Sequence, residues 1–445
     1  MTDSAVAHPI RWPRMTLTDG RAAGRLHEAA IGVTVGIAAA AAVSYAPVTR
    51  PVLVAVVGCL VAGLLLFASP TFGAVLLGAS LPALQDLTGG RSGLHVAASD
   101  IVLVLFAVRL LADAAVSQRL PIVRALRPVR FPVVQYACLI GLLLVLHPGF
   151  VPVLKSTQRL ELIVLPLLVG AYVALRKDHM LVLRVYVLAT TALAVVWPVL
   201  DSLGLQGQWQ KNPTGQLIAN ALLLLVAVRG LRPLLPCMPL LVAGLALTTS
   251  RGAILAVIPG IAVISLMYGG RNLRIVIPRT LLILLAALAI YQWLPEDVRS
   301  HVTNYSTAAG ATSSYPIYVR EQYEQDAKRL IAAHPWTGVG VDNYLAGDSA
   351  VGTSTTDPHN VVLLQAAEGG YVFAASFVLL IAGAAFALWR MRRVELSAVA
   401  VAVLVATVAH GLVDVYWVRG TPVLGWLLVG MVCGLAAARK MESST

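Results

Sequence analysis

One histidine stands where the sequence offers conditions for acid–base chemistry. It lies in the run Thr356-Asp357-Pro358-His359-Asn360, which ends a long polar segment and precedes a long apolar one. Asp357 is a good N-cap and proline suits the first helical position, so we predict a helix with His359 and Asn360 in its first turn. Free N–H groups and the helix dipole favour an anion there, and a neutral imidazole can accept a proton. The alternative interpretation is a histidine that only anchors a membrane helix at the interface.

Two arginines and an aspartate are candidates for the same chemistry. Ser250 can cap a helix that starts at Arg251, where a guanidinium offers a two-pronged donor for phosphate, although a lipid headgroup contact would explain Arg251 equally well. Arg320 lies on a predicted outer helix, where its ordinary interpretation is a surface ion pair with Glu324, four residues on. Asp414 lies near the end of an apolar run. Acids in such places are costly and often functional, but Asp414 could also only pair with Arg419 or a histidine.

Lys155 and Arg159 flank the start of another apolar run, just before Glu161. They can be interfacial side chains that use Glu161 as their carboxylate, or they can form part of an external anion site. On the residues alone we favour the first interpretation.

The composition shows what kind of protein must position these residues. Of 445 residues, 58% are hydrophobic and only 12% are charged, whereas soluble domains carry about a quarter charged residues. We therefore predict an all-α, polytopic membrane protein. The net charge of +12 does not indicate a nucleic-acid partner, because the basic residues are scattered through short loops. The four cysteines lie in or near apolar runs without metal-ligand spacing, so we expect neither a metal site nor a disulfide framework.

Fourteen apolar segments are candidate membrane spans, of which the third is short, and we expect about 12–14 transmembrane helices. The segments are 29–47, 51–69, 70–85, 98–115, 131–148, 158–175, 180–203, 213–229, 233–249, 251–268, 275–293, 359–389, 395–417 and 421–438.

The basic residues predict the orientation of these spans. About two thirds of the Lys and Arg fall on one side, which the positive-inside rule makes the cytoplasmic side. We therefore expect a cytoplasmic N-terminal tail at 1–28, transmembrane helices over 29–293, an extracytoplasmic loop at 294–358, further transmembrane helices over 359–438 and a cytoplasmic tail at 439–445.

The long outer loop has an organisation of its own. It carries eight acidic against four basic residues. Its periodicity predicts a helix from about Pro316 to Ala333 that stops at His334-Pro335. The following segment to Tyr344 contains a Gly-x-Gly turn signal, but it lacks the flanking strand and helix of a dinucleotide loop.

These motifs, in this order, resemble one known family. Thr-Ser-Arg-Gly at a span start, a long outer loop with Arg320, the run His334-Pro335-Trp336-Thr337-Gly338-Val339-Gly340, and then His359-Asn360 with Gly369-Gly370 look like the O-antigen ligase and polymerase superfamily. The resemblance is strongest over residues 248–415.

The resemblance implies an enzyme of the cytoplasmic (inner) membrane of a bacterium, active on the outer face. Such enzymes transfer a glycan from a polyprenyl-diphosphate carrier to an acceptor hydroxyl without metal or cofactor, and their mostly helical fold is similar to the GT-C glycosyltransferases. The resemblance would make four residues catalytic: His359, Arg251, Arg320 and Asp414. Of these, Arg251 and Arg320 would bind the diphosphate. We also assign Asn360, Lys155, Arg159 and Tyr344 to substrate binding. The expected partners are the lipid-linked donor, a glycan or glycolipid acceptor and the bilayer.

Two other functions stay open. A Wzy-like polysaccharide polymerase would use the same chemistry with a second repeat unit as the acceptor. A transporter for lipid-linked glycans is the rival from another class, but transporters usually show internal repeats and broken helices near the midplane, and the sequence shows neither.

Overall fold

The structure is a computed structural model, and it describes residues 63, 69–83, 96–117, 121–202, 211–293, 311–344, 358–414 and 420–443. The predicted span 29–47, nearly all of 51–69, Asp357 and Arg419 lie outside the described residues.

Every regular element in the described ranges is a helix. These are α1 Pro70–Ser80, α2 Ala98–Ser117, α3 Pro121–Ala125, α4 Arg130–Leu146, α5 Phe150–Leu175, α6 His179–Ser202, α7 Lys211–Ala227, α8 Met238–Leu247, α9 Arg251–Trp293, α10 Ala311–Ala333, α11 Val361–Arg390, α12 Ser397–Gly411 and α13 Val423–Ser443, with 3₁₀ helices at Arg127–Val129 and Arg229–Cys237.

The length and hydropathy of these helices confirm the predicted fold class. Within the described ranges, 8 helices are long and apolar enough to cross a membrane, and two shorter apolar helices, Thr71–Ser80 and Ser397–Gly411, join them. The chain is therefore an all-α, multi-pass membrane protein.

The helix α9 differs from the prediction of two separate spans. The two apolar stretches are present, as Arg251–Tyr268 and Arg274–Gln292, but one helical element of 43 residues joins them. The intervening Gly269-Gly270 pair permits a helix to end without requiring it to do so.

The buried end of α7 receives its cap from α9. Arg279 donates from Nη1 to the carbonyls of Leu225, Val226 and Val228, at 2.8, 3.2 and 3.3 Å. The last carbonyls of a helix have no partner within it, and Arg279 supplies one here although it is only 7% exposed. This contact fixes α7 against α9 at the end opposite to the candidate site.

The helices α5 and α13 pack backbone to backbone through small residues. A Cβ added to Gly434 would lie 2.6 Å from the carbonyl oxygen of Ala171, and a Cβ on Gly430 would overlap the carbonyl of Leu167. Small residues four apart allow this close approach, which drives association of membrane helices. The pair thus joins α5, which also carries Lys155 and Arg159, to the C-terminal helix α13.

Candidate functional site

The helix α11 is interrupted at Gly369 and Gly370. Gly369 has φ −139° and ψ 18°, and Gly370 has φ 71° and ψ −175°, so neither is helical. The part from Tyr371 to Arg390 rises about 30 Å, which is enough to cross the hydrocarbon core alone. The first two turns of α11 therefore form a separate short helix.

The segment of the outer loop after α10 fills this interruption. Three backbone hydrogen bonds connect the two: Val339 N–H to Ala367 C=O at 3.0 Å, Gly340 N–H to Glu368 C=O at 2.8 Å, and Tyr371 N–H to Pro335 C=O at 2.8 Å. The break in α11 leaves backbone N–H and C=O groups without partners inside the helix, and the loop supplies hydrogen bonds to three of them. Buried polar groups near a membrane require such partners.

Two glycines allow this contact. A Cβ on Gly370 would lie 2.5 Å from the carbonyl carbon of Trp336, and a Cβ on Gly338 would overlap the backbone of Glu368. Both glycines have positive φ, at 71° and 59°, which disfavours other residues there. The Gly-x-Gly signal in the sequence is therefore the point at which the loop docks.

A group of four charged side chains, Lys155, Arg159, Asp342 and Glu368, reinforces the docking, and we call it the charge quartet. Arg159 donates to both carboxylate oxygens of Glu368, at 2.6 and 3.0 Å. Glu368 also accepts from the N–H of Asp342 at 2.9 Å, and Lys155 lies 3.9 Å from Asp342. Arg159 thus pairs with a distant glutamate, and its expected pairing with Glu161 is not what the structure shows.

The helix α10 packs on the first part of α11. Ala327 and Ile331 share a buried apolar cluster with Ala366 and Ala367. Tyr344 is 1% exposed and belongs to this cluster.

The Tyr344 hydroxyl donates to the carbonyl of Tyr323 at 2.9 Å. Tyr344, which we assigned to substrate binding, is thus buried between α10 and the first part of α11 and is bonded to α10.

Arg320 projects from α10 to the end of α12. It donates to Asp414 at 3.3 Å and to the carbonyl of Val413 at 3.4 Å. The ordinary interpretation, an ion pair with Glu324, is not what the structure shows, because Glu324 pairs with Lys328 at 3.4 Å instead. The Arg320 side chain is 42% exposed, so it can pair with Asp414 and still face a ligand.

Arg251 lies where the sequence predicted, at the first position of α9. Ser250 caps this helix by accepting from the N–H of Ala253 at 3.4 Å. Gly252 lies directly against α12, because a Cβ there would be 2.6 Å from the His410 ring and 3.2 Å from Val413. Since Arg320 contacts the Val413 carbonyl, the helix start that carries Arg251 and the side chain of Arg320 both lie next to the end of α12.

The start of α11 differs from the prediction. The helix begins at Val361, and its N-cap is Asn360, whose side-chain oxygen accepts from the N–H groups of Val362 and Leu363 at 3.0 and 3.1 Å. Pro358, His359 and Asn360 therefore precede the helix, and these two N–H groups are already bonded within the protein. The prediction that His359 and Asn360 lie in the first turn is therefore wrong, and these two N–H groups are not available to an anion.

His359 is held in an unusual backbone conformation next to the same helices. Its φ is 54°, uncommon outside glycine. Its ring stacks on Tyr323 of α10 with the ring centroids 6.0 Å apart. At the end of α12, a Cβ added to Gly411 would lie 3.3 Å from Cγ1 of Val361, so the end of α12 packs against the start of α11. The structure thus brings the starts of α9 and α11, the end of α12 and the helix α10 together.

Several polar residues of this region were missed or given no role by sequence reasoning. Asn212 donates to Asp414, and Gln216 Oε1 lies within hydrogen-bond distance of His410 Nδ1, at 2.9 Å. Glu368, which lies in the apolar run of α11, was given no role. The spacing of Asn212, Gln216 and Asn220, four residues apart in an apolar helix, is the signal that could have found the first two.

The comparisons with known proteins bear on this region. Residues 237–378 match the family model described as O-Antigen ligase. No curated protein matches the chain. The matched residues run from the 3₁₀ helix before α8, through Arg251 and Arg320, to the part of α11 beyond the break, and they include the docked loop and His359. Residues 237–378 of this multi-pass membrane protein therefore belong to the O-antigen ligase superfamily.

Proposed function

We propose that the protein transfers a glycan from a polyprenyl-diphosphate carrier to an acceptor hydroxyl on the outer face of the cytoplasmic membrane. The observation that carries the proposal is the convergence of Arg251, Arg320, His359 and Asp414 from four separate elements on one end of the bundle, with three of them inside the O-antigen ligase match.

The two arginines bind the diphosphate in this proposal. Negative charge grows on the bridging oxygen as the glycosyl bond breaks, and preorganised cations stabilise it best. Asp414 contributes by fixing Arg320, since it accepts from that guanidinium while Asn212 holds its carboxylate. The leaving diphosphate is a weak base, so no strong acid is required.

His359 accepts the proton of the acceptor hydroxyl in this proposal. A general base must be positioned before it reacts. The capped helix that begins after Asn360 and the stack on Tyr323 restrict the ring of His359. The bond from glycan to diphosphate breaks, the bond from glycan to acceptor oxygen forms, and the imidazole holds the proton.

The remaining assigned residues act around this centre. Lys155, 16% exposed as a side chain, is proposed to contact the substrate at the edge of the charge quartet. Three further residues are proposed to support substrate binding indirectly, by holding the elements around the site in place: Arg159, Asn360 and Tyr344. The side chain of each is hydrogen-bonded within the protein.

A product assay tests the proposed function. Purified protein is incubated with a lipid-linked glycan donor and candidate acceptors, and the products are analysed by mass spectrometry. A new glycoside bond to a non-donor acceptor supports a ligase, whereas chains of repeat units support the polymerase. Movement of the donor across a vesicle membrane without new bonds would contradict both.

Loss of either arginine is expected to weaken binding of the donor. Arg251→Ala and Arg320→Ala each remove a charge-assisted contact of about 1.5–3 kcal/mol. Lysine at either position should restore binding only in part, because it lacks the two-pronged donor. Donor affinity measured on the purified variants checks this, and wild-type affinity in both alanine variants would remove these residues from the site.

The orientation in the membrane is tested by labelling. A cysteine at Ser313 is expected to react with an impermeant thiol reagent in intact cells, since the loop 294–358 is predicted to lie outside. Arg124→Cys is the matched control and should react only after lysis. Reversal of the two results would contradict the proposed orientation.

A further inference from the structure

A ladder of polar side chains joins α7 to α12 within the apolar bundle. Asn212 donates to Asp414, and one turn further along α7 Gln216 bonds His410 Nδ1 at 2.9 Å. From Asn212 to Gln216 the chain advances four residues, whereas their partners go back four residues, from Asp414 to His410. The two segments therefore run antiparallel. Gln216 and His410 are each 0% exposed, so the ladder is not a surface contact.

Hydrogen bonds from α7 orient the His410 ring. Gln216 donates from its amide nitrogen to Asn220 Oδ1 at 2.9 Å, which leaves its carbonyl oxygen facing His410. In this orientation of the amide, its oxygen accepts from Nδ1 of His410. The Nε2 edge of the ring is directed at the first turn of α9.

This edge of the ring rests on Gly252. A Cβ on Gly252 would lie 2.6 Å from Cδ2 and 2.8 Å from Nε2 of His410. The ring therefore lies directly against the first turn of α9, whose first residue is Arg251. At the first rung, Asn212 restrains Asp414, the carboxylate that Arg320 contacts.

We propose that Gln216 and His410 are positioning residues for the diphosphate site, acting through the first turn of α9 on Arg251. The inference rests on the proposed function, because it assigns the ladder to the arginines that would bind the donor. Neither residue need touch the substrate. Their role is to hold the helix start at the separation from Arg320 that a diphosphate requires.

Binding of a labelled polyprenyl diphosphate without glycan tests the proposal on the purified full chain. Gln216→Met removes the amide at nearly constant volume and is expected to weaken binding roughly tenfold, within the usual range of coupling energies. In an Arg251→Ala background the same change should cost less than about twofold, because the residue through which it acts is gone. A merely structural role predicts losses that multiply.

Thr407→Val is the matched control. Thr407 lies on α12 one turn before His410, is 1% exposed, and its hydroxyl has no hydrogen-bond partner among the described residues. This variant should bind the probe as the wild type does. If Gln216→Met is not monodisperse, Gln216→Asn, which keeps an amide but shortens its reach, carries the same comparison.

The outcomes separate this inference from the proposed function. Wild-type binding by Gln216→Met, or losses that multiply in the double variant, would overturn the positioning role. A wild-type protein that binds the probe but forms no glycoside bond would contradict the proposed function and leave the ladder result standing. A wild-type protein that does not bind the probe would overturn both.

Discussion

Replacing His359 by glutamine is expected to slow product formation by roughly two to four powers of ten, the range that loss of a general base costs. Glutamine keeps a hydrogen-bonding group but cannot take the proton of the acceptor hydroxyl. Asparagine is the second variant, since it tolerates the left-handed conformation, φ 54°, that His359 adopts. Single-turnover rates at saturating donor measure the effect.

The same preparations distinguish a base from an anchor. If His359 is the base, both variants should stay monodisperse in detergent and bind the polyprenyl diphosphate as the wild type does. If it only anchors the start of α11, the variants should lose folded protein and retain the activity of what remains. A folded glutamine variant with wild-type turnover would end the base hypothesis.

Replacing Arg159 by methionine is expected to destabilise the protein by about 3–5 kcal/mol, because the change leaves a buried carboxylate without its partner. Arg159 and Glu368 are 14% and 2% exposed as side chains and share two hydrogen bonds. The double variant Arg159→Met/Glu368→Gln removes both charges and should regain much of the loss. Thermal unfolding in one detergent compares them.

Lys155→Met is the control for this pair. Its ammonium lies 3.9 Å from Asp342 at the edge of the quartet, and pairs of this kind contribute about 0–1 kcal/mol. The variant should therefore unfold close to the wild-type temperature. If the double variant is as unstable as Arg159→Met alone, the cost does not come from an unpaired Glu368.

Local signals predicted those parts of the site that depend on local physics. Ser250 caps α9 and α10 ends at Ala333 before His334-Pro335, because each outcome depends on backbone preferences of a few neighbouring residues. These signals are legible in a single sequence.

The partners of the charged residues were not predictable in the same way. The sequence offers Arg320 a carboxylate four residues away, but the folded protein pairs it with Asp414 from another helix. Asp357 and Asn360 are both good N-cap residues, so propensity alone could not choose between them. Such choices are made when helices from distant parts of the chain pack.

The docking of the loop into the break of α11 has a consequence for how the protein is made. The segment from Pro335 to Gly340 precedes α11 in the chain, so a ribosome completes it first. When α11 enters the bilayer, the groups that pair with Ala367, Glu368 and Tyr371 already exist. A rearranged gene in which the loop followed α11 would instead leave these backbone groups without their partners during insertion, at several kcal/mol each in hydrocarbon. The order of synthesis thus matches the order in which the parts are needed.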